Sequence, residues 1–458
     1  MGSRLWPVSR EHHPKPFIRL TDGHSLLQHT WLRGAALPQV DEIVTVTNRE
    51  LFFKTQDDYD EIKAGHLIHN SYILEPCGRN TAAAITAAAL QIAEIHGEDA
   101  ILLVLAADHL ISNHHAFSDA VSQATELAKQ DKLVVFGIKP SRPETAYGYI
   151  EVEKGQVVQF IEKPSLALAT KYSESDRYLW NAGMFCFTAG TLIKEMKLHA
   201  SDIISATKSC IKQSKMAQAE DYTQLQLDRE LFAAVADMSI DYALMEKSEN
   251  VTVVPCDLAW SDIGSWDAMA DLCEPDQAGN RIEGEALLHK VTNTYIRSDS
   301  RVVAAVGVDN LVVVDTADAL LVADRNSVQN VKQIYMKLKE TGHDAYKLHR
   351  MENRPWGSYT VLYLYEGFKI KKLEVNPGAS LSLQIHHHRC EHWIVVSGVA
   401  KVFRGDEHFF VHSNESTYIK AGQKHRLENS EKSPLIIIEV QTGDYLEEDD
   451  IIRFEENN

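Results

Sequence analysis

Two histidines, a glutamate and a glutamine near the carboxyl terminus have the residue types and the spacing of a metal site. Gln384 and His386 are two residues apart, Glu391 follows after a short interval, and His425 comes from a later segment. Residues two apart on a strand point to the same face of a sheet. Nitrogen and carboxylate ligands in such a set suit a divalent transition metal such as Zn²⁺, with positions left open for a substrate. The sequence therefore predicts a metal centre formed by these four side chains.

Two carboxylates indicate a second site with different chemistry. Asp108 comes directly after the apolar residues 101–105, and Asp262 lies in a separate tryptophan-rich segment. An acid at the carboxyl end of a strand suits Mg²⁺ held together with nucleotide phosphates, and two acids can share one cation in phosphoryl transfer. Capping of a helix is the alternative role for Asp108. Lys163 follows a predicted strand and could meet a phosphate, although a surface position is the commoner role of such a lysine.

The amino-terminal segment combines a glycine with basic residues. Gly2, Ser3 and Arg4, with Lys15 further along, could hold a phosphate through backbone N–H groups and a guanidinium fork. A solvated terminus is an equally good interpretation of the same residues. The sequence has no G-x-x-x-x-G-K-[ST] or G-x-G-x-x-G pattern, so it lacks the fingerprints of P-loop and dinucleotide-binding folds.

The elements that must position these residues fall into three parts. Residues 1–272 alternate short aliphatic runs with helix-like stretches, such as an Ala-rich helix from Asn80 or Thr81, which predicts a mostly parallel sheet covered by helices. Residues 273–345 carry short β-branched runs between Asn and Asp turns, and we expect a small β-rich unit with a structural or dimer-forming role. Residues 346–458 carry recurring short strands, which indicates a double-sheet β-barrel.

Composition excludes several classes of protein. The chain has 458 residues and a net charge of -19, which argues against a nucleic-acid-binding protein because such proteins need a basic surface. Six scattered cysteines with no C-x-x-C pair indicate a reducing compartment. No apolar run approaches the ~20 residues of a membrane span, and the first residues lack the apolar core of a signal peptide. We therefore expect a cytoplasmic protein that binds neither nucleic acid nor membrane.

A series of motifs identifies a family that the chain resembles along its whole length. These motifs occur in the order seen in mannose-1-phosphate guanylyltransferases, and they span residues 2–7, 75–81, 107–109, 147–150, 160–164, 180–185 and 260–266. In the carboxyl-terminal part, residues 378–398 and 421–429 resemble the paired motifs of cupins. Residues 384–393 are similar to the signature of type II mannose-6-phosphate isomerases. The chain thus resembles the bacterial bifunctional type of the family.

The resemblance implies both a fold and an activity. The implied fold is an α/β nucleotidyltransferase domain with a Rossmann-like mixed sheet, then a small β linker domain and an all-β cupin, which is a double-stranded β-helix barrel. In the family an apolar strand and further glycines precede the amino-terminal loop, and since the sequence begins within that loop we expect the first strand to be truncated. The implied activities are guanylyl transfer from GTP to α-D-mannose 1-phosphate, which gives GDP-mannose and pyrophosphate, and metal-dependent isomerisation of mannose 6-phosphate and fructose 6-phosphate. GDP-mannose would feed polysaccharide synthesis.

The resemblance also implies roles for individual residues. The nucleotide would be bound by Gly2, Ser3, Arg4, Lys15, Glu75, Asn80 and Thr81, with Asp108 and Asp262 holding Mg²⁺. The sugar phosphate would be bound by Tyr147, Gly148, Glu162, Lys163, Asn181 and Gly183. In the isomerase, Arg389 is the candidate for stabilising the substrate phosphate or the enediolate, because its guanidinium fork matches such oxyanions. The isomerase base stays open among Lys372, His387 and Glu439.

Two alternative functions remain at this point. One is an isomerase with an inactive, truncated transferase domain. The other is a non-catalytic regulator that binds sugar phosphates. A homodimer is the expected assembly in each case.

Overall fold

The computed structural model describes residues 2–63, 65, 68–153, 155–218, 222–354, 356–446 and 450–454. The chain forms two compact units. One consists of Pro14–Glu274, and the other combines Met1–His13 with Pro275–Asn458. Among the described residues, no helix is long and apolar enough to cross a membrane.

The unit Pro14–Glu274 is an α/β structure. Its helices are α1 (Leu26–Ala35), α2 (Phe52–Asp60), α3 (Asn80–His96), α4 (His114–Ala128), α5 (Leu166–Ser173), α6 (Ala189–His199), α7 (Ser201–Gln213), α8 (Arg229–Ala233) and α9 (Trp266–Ala270). Its strands are β1 (Glu42–Asn48), β2 (His69–Glu75), β3 (Ile101–Val104), β4 (Leu110–Ile111), β5 (Leu133–Ile138), β6 (Gly148–Glu153), β7 (Gln156–Glu162), β8 (Tyr178–Thr188), β9 (Lys215–Gln218), β10 (Tyr222–Gln226), β11 (Val251–Cys256) and β12 (Trp260–Ser261).

The strands of this unit form two larger sheets. One has the order β1-β2-β10-β9 and the other the order β3-β8-β5-β11-β7-β6, while β4 and β12 form a separate antiparallel pair. Both β1 and β10 run parallel to β2, and β5 runs parallel to β11. The Rossmann-like mixed sheet implied by the resemblance agrees with this architecture. The expectation of a mostly parallel sheet is wrong, because most strand pairs of this unit, such as those that β8 forms with β3, β5 and β6, are antiparallel. Within the described chain, β1 pairs with β2 alone and β3 pairs with β8 alone, so the two sheets are separated at these edges.

Helix α3 shows how the sequence builds the core of this unit. Alanine has the highest helix propensity, and its small side chain lets helices approach closely. Ala82, Ala83, Ala87 and Ala89 are fully buried in a core shared with α6 and α7. The helix begins at Asn80 with Arg79 at the cap position, one residue before the expected cap, and it ends at Gly97, whose φ of +92° favours glycine.

The other unit contains a β-helix followed by a barrel. The β-helix has strands β13 (Arg281–Glu283), β14 (Ala286–His289), β15 (Tyr295–Ser298), β16 (Val303–Val306), β17 (Leu311–Asp315) and β18 (Leu320–Asp324), and helix α10 (Val331–Glu340) follows. Parallel pairing of β13, β15 and β17, and of β14 and β16, stacks successive turns of chain. This β-rich unit lies where the short β-branched runs predict it.

The barrel consists of two antiparallel sheets. Its strands are β19 (Met351–Arg354), β20 (Gly357–Tyr365), β21 (Phe368–Val375), β22 (Leu383–Ile385), β23 (Arg389–Ser397), β24 (Val399–Arg404), β25 (Glu407–His412), β26 (Ser416–Ile419), β27 (His425–Glu428), β28 (Leu435–Gly443) and β29 (Ile452–Phe454). The sheets have the orders β19-β20-β21-β28-β23-β26 and β25-β24-β27-β22-β29. Burial alternates strictly along β21, which gives one face to the interior. The double-sheet barrel predicted from the strand spacing is confirmed.

The amino-terminal segment packs within the unit that holds the β-helix and the barrel. The indole Nε1 of Trp6 donates to the carbonyl oxygen of Ala345 at 2.9 Å, and the buried guanidinium of Arg10 pairs with Asp318 at 2.9 Å. These contacts hold Trp6 and Arg10 in place, and both residues come shortly after the candidate phosphate loop at residues 2–4. The candidate phosphate loop therefore belongs to a different compact unit from Lys15 and Asp108.

Candidate functional sites

Three of the four predicted metal ligands converge inside the barrel. His386 follows β22, Glu391 lies on β23 and His425 begins β27, and one ligand atom from each lies within 4.8 Å of the other two. Nε2 of His386 is 3.0 Å from Oε1 of Glu391, and Nε2 of His425 is 3.8 Å from Oε2 of Glu391. All three side chains are at most 1% exposed. Strand pairing in the barrel, and not alternation along one strand, thus brings these three residues together.

Hydrogen bonds orient both imidazole rings toward this group. Nδ1 of His386 is 3.1 Å from the carbonyl oxygen of Arg389, and Nδ1 of His425 is 2.8 Å from that of Gln423. Because a carbonyl oxygen only accepts, each Nδ1 carries the proton and each Nε2 offers its lone pair to the centre of the group. Nε2 of His386 is buried and makes no well-directed hydrogen bond within the described chain. The donor set therefore fits a divalent cation.

Gln384 lies beside these three side chains. It is the cross-strand neighbour of His425, and its Nε2 is 3.3 Å from Nε2 of that histidine. The side chain of Gln384 is buried beside the others, and its role as a fourth ligand stays a prediction.

The charges around Glu391 keep it ionised. Burial by itself favours the neutral carboxylic acid, but the contact with His386 and the positive charge of Arg389 hold the pKa of Glu391 well below its usual range. Arg389 is 1% exposed, and its Nε is 3.4 Å from Oε1 of Glu391. The arginine predicted to meet an oxyanion therefore lies in the barrel interior, next to the proposed metal ligands.

A row of polar residues extends this group across the barrel and was not predicted as a unit. Nε1 of Trp393 lies 3.1 Å from Oε2 of Glu391 and 3.0 Å from Oε1 of Glu439. Nε2 of Gln441 donates to both glutamates at 3.0 Å. Buried Lys371 is the cross-strand neighbour of Glu439. One pattern in the sequence could have revealed this network. Polar residues stand two apart within apolar strands, as in Lys369 and Lys371 or Glu439 and Gln441.

The three candidate bases of the isomerase lie in different environments, and only one of them faces the interior of the barrel. Lys372 points outward and pairs with Glu374 at 3.0 Å, and His387 is exposed. Glu439 is 4% exposed and faces the interior. Burial and the neighbouring Glu391 raise the pKa of Glu439.

In the unit Pro14–Glu274, Lys15 contacts both residues that were predicted to hold magnesium. Its Nζ lies 3.0 Å from Oδ2 of Asp108 and donates to the backbone carbonyl of Asp262. Antiparallel pairing of Ser261 with Leu110 brings the two segments together. Burial opposes ionisation of Asp108, but the charges of Lys15 and His109 hold the pKa of that carboxyl below its usual value. A cation and two acids thus lie at the carboxyl end of β3.

Aromatic residues complete this part of the site. The hydroxyl of Tyr147 donates to Oδ1 of Asp262 at 2.7 Å, and the backbone N–H of Gly264 donates to the same oxygen at 3.0 Å. Nε1 of Trp260 donates to Nδ1 of His109 at 3.2 Å. Tyr147 was predicted to bind the sugar, which stays a prediction, and the described contact is with the carboxylate of Asp262. His109 is a site residue that the sequence prediction left out.

The residues predicted to bind the sugar form a neighbouring cluster. A Cβ built on Gly148 would lie 2.7 Å from Oε2 of Glu162 and 3.6 Å from Cβ of Asn181. Oδ1 of Asn181 accepts from the backbone N–H of Gly183 at 3.0 Å, and its Nδ2 donates to Asp241 at 2.8 Å. Gly148, Glu162, Asn181 and Gly183 are therefore close together.

Lys163 forms an ion pair with Glu162. Asp241 was not predicted, and its pKa is raised by burial and by the charge of Glu162.

The residues predicted on the nucleotide side lie after β2. Burial raises the pKa of Glu75 to about 7, and its Oε1 has no hydrogen-bond partner in the described part of the chain. Asn80 has a φ of +62°, and its Oδ1 accepts from the backbone N–H of Thr81 at 2.9 Å. Oγ1 of Thr81 accepts from the backbone N–H of Ile240 at 2.8 Å. Asn80 and Thr81 thus shape this turn of backbone through their own hydrogen bonds.

Comparison with known proteins covers the whole chain. Residues 1–278 match the family model described as nucleotidyl transferase, residues 289–338 that of the MannoseP isomerase/GMP-like beta-helix domain, and residues 341–456 that of the mannose-6-phosphate isomerase C-terminal. The xanthan biosynthesis protein XanB of Xanthomonas campestris pv. campestris (strain B100) is 46% identical over 99% of this chain and 96% of its own length. A mannose-1-phosphate guanylyltransferase of Escherichia coli (strain K12) is 42% identical over 99% of this chain and 95% of its own length.

Two solved structures each resemble more than half of the chain. One is described as mannose-1-phosphate geranyltransferase from Thermus thermophilus, with a TM-score of 0.63 and 32% identity, and the match covers 74% of this chain and 96% of that one. The other is mannose-6-phosphate isomerase from Helicobacter pylori, with a TM-score of 0.51 and 34% identity, over 55% of this chain and 95% of that one.

Proposed function

Because the chain belongs to the mannose-1-phosphate guanylyltransferase family, and to its type with a mannose-6-phosphate isomerase domain, we propose that it catalyses two reactions of GDP-mannose synthesis. One transfers a guanylyl group from GTP to α-D-mannose 1-phosphate and releases pyrophosphate. The other interconverts mannose 6-phosphate and fructose 6-phosphate. The observation that carries this proposal is that two separate chemical clusters, one around Asp108 and one around Glu391, lie in different compact units of one chain.

In the barrel, the side chains support an aldose–ketose isomerisation. The reaction moves a proton between C1 and C2 through a cis-enediol, so it needs one proton carrier and a means to stabilise oxyanions. A metal held by His386, Glu391 and His425, with Gln384 beside them, would polarise the substrate oxygens as a Lewis acid. Arg389 would stabilise the enediolate or bind the phosphate through its guanidinium. Zn²⁺ or another divalent transition metal suits this donor set.

We assign the proton transfer to Glu439 on position alone. Of the three bases proposed from sequence, Glu439 is the one that lies inside the barrel near Glu391. The indole of Trp393 and the amide of Gln441 hold its two oxygens in place. A carboxylate fixed in this way does not have to be reordered when substrate binds.

In the other unit, the reaction needs positioning and charge neutralisation rather than a protein nucleophile. The phosphate oxygen of mannose 1-phosphate attacks the α-phosphorus of GTP in line, a new P–O bond forms, and pyrophosphate leaves. Lys15 would bind the triphosphate in this unit. The assignment of Gly2, Ser3 and Arg4 to the triphosphate rests on the resemblance alone and stays a prediction, because these residues belong to the other compact unit. Asp108 and Asp262 would hold Mg²⁺, which neutralises phosphate charge.

The remaining assignments concern substrate recognition. Glu75, Asn80 and Thr81 would line the guanine and ribose. Lys163 would meet the sugar phosphate, while the mannose would be contacted by Tyr147, Gly148, Glu162, Asn181 and Gly183. The closeness of four of these five residues supports a shared sugar subsite.

We further propose a cytoplasmic homodimer with three domains. Along the sequence the domains would be residues 1–272, 273–345 and 346–458, although residues 1–13 fold with the second and third of them, and the β-helix would be the dimer-forming part. The product would enter polysaccharide synthesis, as the xanthan relationship of the 46% identical protein suggests.

Both activities can be tested on one preparation. GDP-mannose and pyrophosphate formation are measured from mannose 1-phosphate, GTP and Mg²⁺, and isomerase activity is measured in parallel. Asp108→Asn should abolish guanylyl transfer and spare isomerisation, whereas Glu391→Gln should do the reverse. Isomerase activity without any transfer would favour the alternative with an inactive transferase domain, and absence of both activities in a folded protein would favour a regulator.

A further inference from the structure

Two buried lysines lie on the inner wall of the barrel. The alternation along β21 directs Lys369 and Lys371 inward, and they are 8% and 5% exposed. Leu373 and Val375, the next inward residues of this strand, belong to the apolar core of the barrel. Because a buried ammonium group requires negative charge or strong hydrogen-bond acceptors around it, the two lysines indicate a place where the interior accommodates negative charge.

Strand register places the lysines in line with the proposed isomerase residues. Lys369 is the cross-strand neighbour of Gln441, which is in turn the neighbour of the proposed metal ligand Glu391. Lys371 is the cross-strand neighbour of Glu439. Because β28 lies between β21 and β23, the lysines are about 10 Å from Glu391 along the barrel wall, given about 4.8 Å between strands. The proposed base Glu439 thus lies between the lysines and the metal ligands.

The polar residues occupy one end of the barrel interior. Further along the same strands, the inward residues Leu373, Ile437 and Val395 are cross-strand neighbours and belong to the apolar core. In the other direction, Nζ of Lys369 donates at 2.7 Å to the carbonyl oxygen of Leu446, in the segment that follows β28. The lysines therefore lie in the polar end of the interior, together with the metal ligands.

The inner faces of three neighbouring strands carry more positive than negative charge. The inward residues described on β21, β28 and β23 include three cations and two acids, namely Lys369, Lys371, Arg389, Glu391 and Glu439. A divalent metal at the proposed site adds further positive charge. A substrate that brings negative charge is therefore favoured, and a phosphate monoester carries about −1.5 to −2 at pH 7.

The length of a hexose 6-phosphate matches the separation between the lysines and the metal ligands. In the open-chain form six bonds connect C2 to the phosphorus, and at about 1.5 Å per bond they span roughly 7–8 Å when extended. With C1 and C2 between the metal ligands and Glu439, the phosphate reaches the wall formed by β21. Arg389, whose Nε is 3.4 Å from Oε1 of Glu391, lies at the other end, beside the reacting carbons.

We propose that Lys369 and Lys371 form the phosphate-binding subsite of the isomerase, and that Arg389 acts on the enediolate oxygens instead. This inference rests on the proposed isomerase function and adds the residues that recognise the phosphate. Lysine binds phosphate oxygens as a point charge with three N–H donors. The subsite would select phosphorylated sugars, because an unphosphorylated hexose lacks the charge-assisted contacts with both ammonium groups.

Steady-state kinetics of the full chain with Zn²⁺ test this subsite. Lys369→Met and Lys371→Met should each raise KM for mannose 6-phosphate on the order of tenfold or more, with kcat within about threefold, because the phosphate is remote from the reacting carbons. Inhibition of the isomerase by inorganic phosphate should weaken by a similar factor. Lys372→Met, on the outer face of the same strand, is the matched control and should behave like the parent chain.

Unphosphorylated mannose separates phosphate recognition from general damage to the barrel. Assayed at high concentration, its isomerisation should keep the parental kcat/KM in both methionine variants, since it makes no contact that depends on the phosphate. Titration with Zn²⁺ reports whether the metal site is intact in each variant. Lys369→Arg keeps a cation and should recover part of the inhibition by inorganic phosphate, whereas Arg389→Lys should lower kcat and leave that inhibition at the parental level.

Three results would overturn the proposal. They are parental KM and parental phosphate inhibition in both methionine variants, an equal fall of kcat/KM for mannose and for mannose 6-phosphate, and loss of phosphate inhibition in Arg389→Lys alone. A parent chain without isomerase activity would contradict the proposed function but not the subsite. In that case calorimetric binding of fructose 6-phosphate, compared between the parent chain and the methionine variants, decides whether the lysines bind the phosphate.

Discussion

Asp450 and His388 link the carboxyl-terminal segment of the chain to the loop that carries a metal ligand. Oδ1 of Asp450 is 2.7 Å from Nδ1 of His388, and the Asp450 carboxylate also accepts the backbone N–H groups of His387 and His388 at 3.2 Å. The aspartate side chain is 2% exposed although the imidazole is 63% exposed. This buried carboxylate therefore holds the backbone between His386 and Arg389 in one conformation.

Replacement of Asp450, which is not itself a proposed ligand, should lower the affinity of the barrel site for metal. We expect Asp450→Asn to lower the affinity for Zn²⁺ roughly tenfold, because residues that orient metal ligands typically contribute 10- to 100-fold. Metal titration of the chelator-treated protein measures the affinity. Asp444→Asn, at an exposed position of the same segment, is the control and should bind metal like the parent chain.

Glu439 should be required for isomerisation in a way that Lys372 is not. Glu439→Gln keeps the shape of the side chain but removes the proton carrier, so we expect kcat to fall by 10²- to 10⁴-fold with a small change in KM. Lys372→Met, on the outer surface of the same barrel, should keep near-parental kcat. A parental kcat for Glu439→Gln would remove this residue from the mechanism.

A methyl group at position 148 should impair guanylyl transfer. The added Cβ of Gly148→Ala would lie 2.7 Å from Oε2 of Glu162 and would displace that side chain. We expect KM for mannose 1-phosphate to rise about tenfold while isomerase activity stays unchanged. The double variant with Glu162→Asp, whose shorter side chain relieves the contact, distinguishes displacement of Glu162 from general damage: partial recovery of KM is the expected result.

Removal of bound metal should affect the two activities separately. Treatment with a chelator followed by buffer exchange should abolish isomerisation, and Zn²⁺ alone should restore it, because the proposed ligands in the barrel are nitrogen and carboxylate donors. Guanylyl transfer should instead depend on Mg²⁺ added with GTP. Full isomerase activity in metal-free protein would contradict the assignment of His386, Glu391 and His425.

Asp57 should make the unit Pro14–Glu274 less stable at alkaline pH. Burial and the charges of Asp60, Asp58 and Glu61 raise the pKa of Asp57 to about 6. A raised carboxyl pKa means that the folded state prefers the neutral acid, so this contribution is present at pH 4 and is lost as the pH rises through about 6. Asp57→Asn should therefore raise Tm at pH 8 but not at pH 4, as measured by thermal unfolding. Asp119→Asn, on an exposed position of α4, should show no such pH-dependent gain.

The sequence predicts those features that depend on short-range periodicity. The alternation around Gln384 and His386 is enough to place ligands on one face of a strand, and turn residues are enough to indicate a double-sheet barrel. The network of Trp393, Glu439 and Gln441 could not be predicted in the same way, because it depends on which strands are neighbours and in which register. The register Glu391–Gln441 and Trp393–Glu439 exists only once β23 and β28 pair.

The same limit applies to the amino-terminal segment. Its glycine and arginine indicate phosphate chemistry, but nothing local in Trp6 or Arg10 predicts contacts with Ala345 and Asp318, more than 300 residues away. The outer edges of β1 and β3 likewise become visible only when the strand order is known.

Because Met1–His13 folds with Pro275–Asn458, the chain passes twice between the two units, and Pro14–Glu274 is an insertion within the other unit. A fragment that starts at residue 275 would lack the indole of Trp6 and would leave Asp318 without the guanidinium of Arg10. During synthesis, the first residues of the chain must wait until Asp318 and Ala345 have been made. The inserted unit can therefore complete its fold before the unit that encloses it in sequence.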